Sequence, residues 1–202
     1  MSGNTDPTPV RTVAVVVPFL NEEENLPLMY ERLSAAMAGQ PEQLQLILVD
    51  DGSTDGSARW VAELARRDSR VTLLRLSRNF GHQIAITAGM DHADTDAVII
   101  MDADLQDPPE VVPELLAKWR EGFEVVYAVR KSRAGESWAK KFLAASFYRV
   151  FHRMANIEVP MDAGDFRLID RKVVNAMREV RELHRFMRGL TCWVGFRQGA
   201  VF

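Results

Sequence analysis

The sequence predicts an α/β domain: a Rossmann-like, mostly parallel sheet with helices on both faces. Three observations predict it. Apolar runs of strand length alternate with segments of helical periodicity through residues 13–129, the order in which crossover helices build a parallel sheet. The runs are apolar at consecutive positions, as strands covered on both faces require. Acidic residues collect just beyond three of these runs, at the edge where open α/β sheets place ligands.

The 202 residues are 47% hydrophobic and 26% charged, enough for one domain with a real core. Residues 1–12 are polar, lack the apolar stretch of a signal peptide, and read as a flexible tail. No run approaches bilayer-spanning length. The single cysteine, Cys192, excludes an intrachain disulfide and fits a reducing compartment.

Residues 13–17 form a β-branched first strand. Asn21 and Glu24 beyond it have capping-box spacing, so a helix is expected from there to about Met37. Residues 44–49 make a second strand running into DDGSTD, followed by a helix to about Arg67. A third strand, 71–76, leads through the polar loop 77–83 into a helix ending near His92. His82 and Gln83 open that helix, where backbone N–H groups favour anions and a capping role is equally compatible. After the fourth strand, 97–101, a helix to about Arg120 and a strand at 123–129 are expected. Residues 137–154 read as an amphipathic helix with a basic flank, and another helix starts near Asp170.

The fourth strand carries the chemistry. Five apolar residues give way abruptly to DADLQDPPE. Asp102 and Asp104, two apart in extended chain, point the same way. Two converging carboxylates repel unless a positive charge lies between them. A hard cation, Mg²⁺ or Mn²⁺, that shares its other positions with substrate phosphates suits them. Gln106 offers a further neutral oxygen. Asp107, Pro108, Pro109 and Glu110 resemble a helix start with Asp107 as N-cap. The plainer alternative is an acidic strand-to-helix turn. Glu22 and the pair Asp50/Asp51 stand beyond the first and second strands, making three acidic strand ends on one edge. No G-x-G-x-x-G follows the first strand, which argues against the common dinucleotide site. The four histidines lack metal-ligand spacing, so zinc is not expected.

Charge is divided along the chain. Residues 1–110 hold 8 Arg, no Lys and 18 Asp+Glu, whereas residues 111–202 hold 17 Lys+Arg and 10 Asp+Glu. An acidic front suits a metal, and a basic back suits an anionic partner such as nucleic acid, a phospholipid surface or a lipid phosphate. Arg130 and Arg133 follow the fifth strand, and Arg is suited to bidentate phosphate contact.

The stretches VVVPFLNEEENL, LILVDDGSTDGS, LSRNFGHQIAITAGMDHA, VIIMDADLQDPPE, VVYAVRKSR, DAGDFRLIDR and HRFMRGL together resemble family 2 glycosyltransferases of the GT-A fold, in the polyprenyl-phosphate branch that includes dolichol-phosphate-mannose synthase and bactoprenol glucosyltransferases. The resemblance runs from residue 13 to the end. It implies a GT-A catalytic domain over 13–202, with a nucleotide-sugar half to about 110 and an acceptor half beyond. It implies that Pro18, Leu20, Glu22, Asp50, Asp51 and Asp102 bind the nucleotide, and that Asp102, Asp104 and Gln106 hold Mg²⁺ or Mn²⁺. Arg130, Lys131 and Arg133 would meet the acceptor phosphate, and Asp165 would sit near the reacting anomeric carbon. The implied reaction is inverting transfer from a nucleotide sugar, UDP-glucose first, to undecaprenyl or dolichyl phosphate at the cytoplasmic side of a membrane. An anionic membrane surface is the implied partner in place of nucleic acid, and homo-oligomerisation stays open. Leu20 departs from the aromatic usual in mannose synthases. Bacterial members also continue into membrane helices, so the membrane part is expected to be absent from this sequence. The rivals are a soluble family 2 enzyme acting on a glycan or protein hydroxyl, a phosphohydrolase using Asp102 as nucleophile, and an acidic receiver domain. The phosphohydrolase motif belongs near the amino terminus, and the receiver pair belongs after the first strand.

Overall fold

The computed structural model describes residues 10–129, 163–180, 182 and 186–202. The expectations for Arg130, Lys131, Arg133 and the basic amphipathic segment 137–154 lie outside them.

Among the described residues, seven strands form one sheet in the order β3-β2-β1-β4-β6-β5-β7. β1 (Thr12–Phe19), β2 (Gln43–Asp50), β3 (Val71–Arg75) and β4 (Ala97–Ile100) are mutually parallel, as expected. β5 (Val125–Val129) and β7 (Gln198–Val201) pair in parallel, while β6 (Ala163–Asp170) runs antiparallel between β4 and β5. β6 and β7 are strands that the sequence pattern did not mark.

The helices are α1 (Leu26–Met37), α2 (Ser57–Arg67), α3 (His82–His92), α4 (Val112–Arg120), α5 (Arg171–Glu179) and α6 (Met187–Trp193). Alternation along β1 divides them between two layers. Val13, Val15 and Val17 share a core with Leu26, Leu33, Val61 and Leu115, from α1, α2 and α4. Ala14 and Val16 share the other with Ile86, Met90, Val173, Met177 and Met187, from α3, α5 and α6. Both sheet faces are therefore covered, and the continuous apolar strands follow from that.

Two helix starts differ from expectation. α1 begins at Leu26 with Asn25 at its N-cap, not at the Asn21 box. Asn21 adopts φ 57°, and its side-chain oxygen accepts the N–H of Thr54 at 2.8 Å, so it serves the loop after β2. The second difference follows β4. Asp107 is buried and precedes a 3-10 turn, Pro109–Val111, before α4 starts at Val112. The tail is also shorter than 1–12: Thr12 opens β1, with its N–H and hydroxyl on Asp96 at 2.7 and 3.0 Å.

Candidate active site

From β1 the chain steps outward to β2 and β3, then returns to place β4 on the other side of β1. Such a reversal splays the loops apart at the strands' carboxyl ends and opens a crevice there. In this protein it has a volume of about 310 Å³ and is lined by Pro18, Phe19, Leu20, Glu22, Asp51, Asn79, Gly81, His82, Asp102, Ala103 and Asp104.

Most residues expected at the donor site meet here. Pro18, Leu20 and Glu22 come from the end of β1, Asp51 from beyond β2, and Asp102 and Asp104 from beyond β4. Asp50 does not line the crevice. It is fully buried, accepting the Ser53 N–H at 2.7 Å and Arg75 Nε at 3.1 Å, which fixes the turn after β2. Asp51 accepts the N–H groups of Phe80 and Gly81 at 2.8 and 2.9 Å and so anchors the loop after β3. Gly52, at φ 86°, lets that loop approach; a Cβ there would stand 2.7 Å from the backbone nitrogen of Asn79. Gln106 is outside the lining, and its N–H donates to Asp104 Oδ1 at 3.0 Å.

Asp165, on β6, is buried and faces basic side chains from two helices. Arg188 Nε of α6 donates to Oδ1 at 2.9 Å, and His82 Nε2 of α3 stands 3.6 Å from Oδ2. Burial pushes this carboxyl upward, but the neighbouring His82 imidazole and the hydrogen bonds of Arg188 outweigh it and hold Asp165 well below the ordinary carboxylate range. The nearby Asp165 carboxylate in turn raises the His82 imidazole against its own desolvation. His82 Nε2 also lies 3.4 Å from Asp102 Oδ1.

Asp102 behaves oppositely to Asp165. Burial raises its pKa, His82 opposes the rise, and the charges of Asp107, Asp104 and Asp165 add to it. Its buried Oδ1 accepts no hydrogen bond. A desolvated carboxylate among other acids is short of positive charge, and a divalent cation would supply it. Among the described residues no three His, Cys, Asp or Glu side chains gather into a ready-made cage. Mg²⁺ commonly takes one or two carboxylates and completes its shell with water and substrate phosphates. Asp102 and Asp104 fit that requirement.

His82 and Arg188 were missed as site residues. One signal was available for His82: its loop follows β3, on the same sheet edge as the acidic loops. Arg188 stands in the HRFMRGL stretch that carries the resemblance, but only β6 and α6 together bring it to Asp165.

The fold and crevice define an α/β protein with an acid-lined crevice at the switch point of its sheet. The chain belongs to glycosyl transferase family 2, whose sequence profile matches residues 14–178. The uncharacterized glycosyltransferase YkcC of Bacillus subtilis is 51% identical over 188 residues, 93% of this chain and 58% of YkcC. The bactoprenol glucosyl transferase of Shigella phage SfV is 38% identical over 94% of this chain and 62% of its own length. The chain thus spans about three fifths of the length of these curated relatives. Among solved structures, the mannosyltransferase PcManGT of Pyrobaculum calidifontis, in complex with GDP-Man and Mn²⁺, is similar with TM-score 0.63 and 22% identity, covering 97% of this chain and 56% of its own. S. aureus TarS 1-349 in complex with UDP-GlcNAc has TM-score 0.63 and 15% identity, covering 94% of this chain and 56% of its own. At these identities the likeness concerns the fold, and the GT-A architecture expected from the sequence stands.

Proposed function

We propose that this chain is the donor-binding and catalytic part of an enzyme that transfers a sugar, with inversion, from a nucleoside diphosphate sugar to a polyprenyl phosphate. The observation that carries the reading is the switch-point crevice with its cation-deficient Asp102 beside Asp104. Kinship with proteins named bactoprenol glucosyl transferases supports the lipid acceptor and makes UDP-glucose the first donor to test.

Pro18, Leu20 and Glu22 receive the nucleoside, and Asp51 keeps the opposing loop in place. Asp102 and Asp104 would hold Mg²⁺ or Mn²⁺, with Gln106 as a further oxygen. When bound, the metal offsets charge on the departing diphosphate. An oxygen of the acceptor phosphate forms its bond to the anomeric carbon on the face opposite the nucleotide. The anomeric carbon–oxygen bond to the diphosphate breaks, and its electron pair leaves with the nucleotide. A phosphate monoester is largely ionised near neutral pH, its second pKa being about 6, so no strong base is needed. Asp165, ionised and clasped by Arg188, orients the reacting groups. Arg130, Lys131 and Arg133 are assigned to the acceptor phosphate on sequence grounds, and the basic stretch from Arg130 to Arg153 to an anionic membrane surface.

The test supplies UDP-[¹⁴C]glucose, Mn²⁺ and a short-chain polyprenyl phosphate in detergent. Label should enter a chloroform-soluble, acid-labile product. Label found only in a water-soluble glycan would move the acceptor to a hydroxyl, and free phosphate without transfer would favour a hydrolase.

A further inference from the structure

His82 lines the crevice and stands between Asp102 and the buried Asp165, and its placement is unusually constrained. The loop before it is tied by backbone N–H groups to Asp51, and Gly81 adopts φ 99° as the N-cap of α3. Helix α3 itself lies directly on β1, since a Cβ at Gly89 would stand 2.3 Å from Val16 Cγ1. The first turn of α3 is therefore fixed by main-chain contacts and close packing.

From that turn two consecutive side chains reach across to β6. Gln83 Nε2 lies 3.4 Å from Asp165 Oδ2, and Gln83 Oε1 accepts the Met187 N–H at 3.2 Å, beside the Arg188 that clasps the same carboxylate. His82 makes the second reach, with Nε2 3.6 Å from Asp165 Oδ2, and also stands 3.4 Å from Asp102 Oδ1. Carboxylates converging on one imidazole repel each other, more strongly when desolvated. A ring held on a rigid helix between them sets how far apart they rest.

We propose that His82 is a positioning residue of the transfer, bridging Asp102 on the donor side and Asp165 on the acceptor side so that the two carboxylates keep one spacing. The role rests on the glycosyl-transfer reading above. Its consequence is kinetic, because misplacing reacting groups by about 1 Å costs up to ~10²-fold in rate.

The test compares His82→Leu, His82→Gln and His82→Asn in the full chain. Glutamine carries its amide nitrogen about as far out as the imidazole Nε2, and asparagine stops near Nδ1. His82→Leu should lose roughly 10- to 100-fold in kcat, with KM for UDP-glucose within about threefold of the parent. His82→Gln should recover most of that loss, His82→Asn should resemble His82→Leu, and all should melt with the parent. Equal activity of the Gln and Asn variants, undiminished activity of the Leu variant, or a loss confined to KM would overturn the proposal. A second arm needs no activity. At fixed pH, the ¹⁵N signal of His82 Nε2 should move in Asp165→Asn and stay put in Asp94→Asn. A nitrogen indifferent to Asp165→Asn, in a chain that transfers sugar, overturns the bridge and leaves the function standing. A nitrogen that responds, in a chain that transfers no sugar, overturns the function and leaves the bridge.

Discussion

Asp50 and Asp51 are neighbours in sequence and do separate work: one fixes its own turn through Ser53 and Arg75, the other anchors the loop after β3. Neither carboxylate is short of partners. Asp102 is, and the contrast is the ground for proposing a cation site at the end of β4. Asp104→Ala should abolish Mn²⁺-dependent UDP binding in calorimetry while leaving the melting temperature within a degree or two, because Asp104 is a loop side chain outside both cores. Unchanged binding would remove Asp104 from the metal site. The DADLQ stretch stood out as a candidate because an apolar strand ends there abruptly in acids, on the same edge as two other acidic strand ends. His82 was not, since its partners lie 20 and 83 residues away in the chain and a loop histidine beside a helix start is equally well a cap. A different residue tests electrostatics away from the site. Glu42, nearly buried, accepts two hydrogen bonds from Arg120 at 2.9 and 2.6 Å. Desolvation raises its pKa, but Arg120 outweighs it, so the folded value falls below the unfolded one. Such a carboxylate stabilises the fold above its unfolded pKa, and that contribution is lost as pH falls through the folded value. Glu42→Gln should therefore lower the melting temperature at pH 7, and the gap to the parent should close below about pH 4.

At the scale of elements, α3 joins the packed core to the site. Gly89 faces Val16 Cγ1 and Val49 Cγ2, where a Cβ would come within 2.3 and 3.0 Å. Gly89→Ala must push helix and sheet apart, at a cost of about 1–3 kcal/mol, read as a lower urea midpoint. UDP-glucose turnover should fall further than stability does, because the same displacement moves His82. Strands β1, β2 and β4 were legible because their apolar runs are buried on both faces, and the shorter β3 because it follows the same strand–helix alternation. β6 was not, because its sequence AGDFRLID carries site charges inside the sheet. Asp165 and Arg167 sit on it as buried ions. Burial depresses the Arg167 guanidinium to about 10, even with Asp165 nearby, while its Nη2 donates to the Gly164 carbonyl at 2.8 Å. Asp165, Phe166, Arg167 and Leu168 do alternate, but with a charge at each polar position beside a glycine the stretch reads equally as a turn, so the buried charges concealed its secondary structure. The Asn21 box misled for a related reason. Its polar groups are used across the crevice wall by residues 54 and 55, not by the helix that follows.

For the whole molecule, the division of charge separates an acidic half from a basic one, and seven of the basic residues fall between Arg130 and Arg153 against a single Glu136. Each Lys or Arg near an anionic leaflet contributes about 1 kcal/mol of attraction, weakened as salt shortens the Debye length. The chain should co-sediment with anionic liposomes at low salt, leave them as salt rises, and ignore neutral ones. Reversing Lys140, Lys141, Arg149 and Arg153 to Glu should end the attachment, and failure of the unaltered chain to bind anionic vesicles at low salt would refute it. The sheet order has a consequence in time as well as in space. Strands β1, β2 and β3 pair through single crossovers, whereas β4 must return to β1, and β6 joins β4 and β5 only after residues 130–162 have intervened. Closing such a loop costs entropy before its contacts repay it. In stopped-flow refolding, Val15→Ala in β1 should slow the main folding phase, while Leu168→Ala in β6 should chiefly accelerate unfolding. Asp165 would then reach His82 last, so a refolding chain should regain UDP binding before it regains transfer.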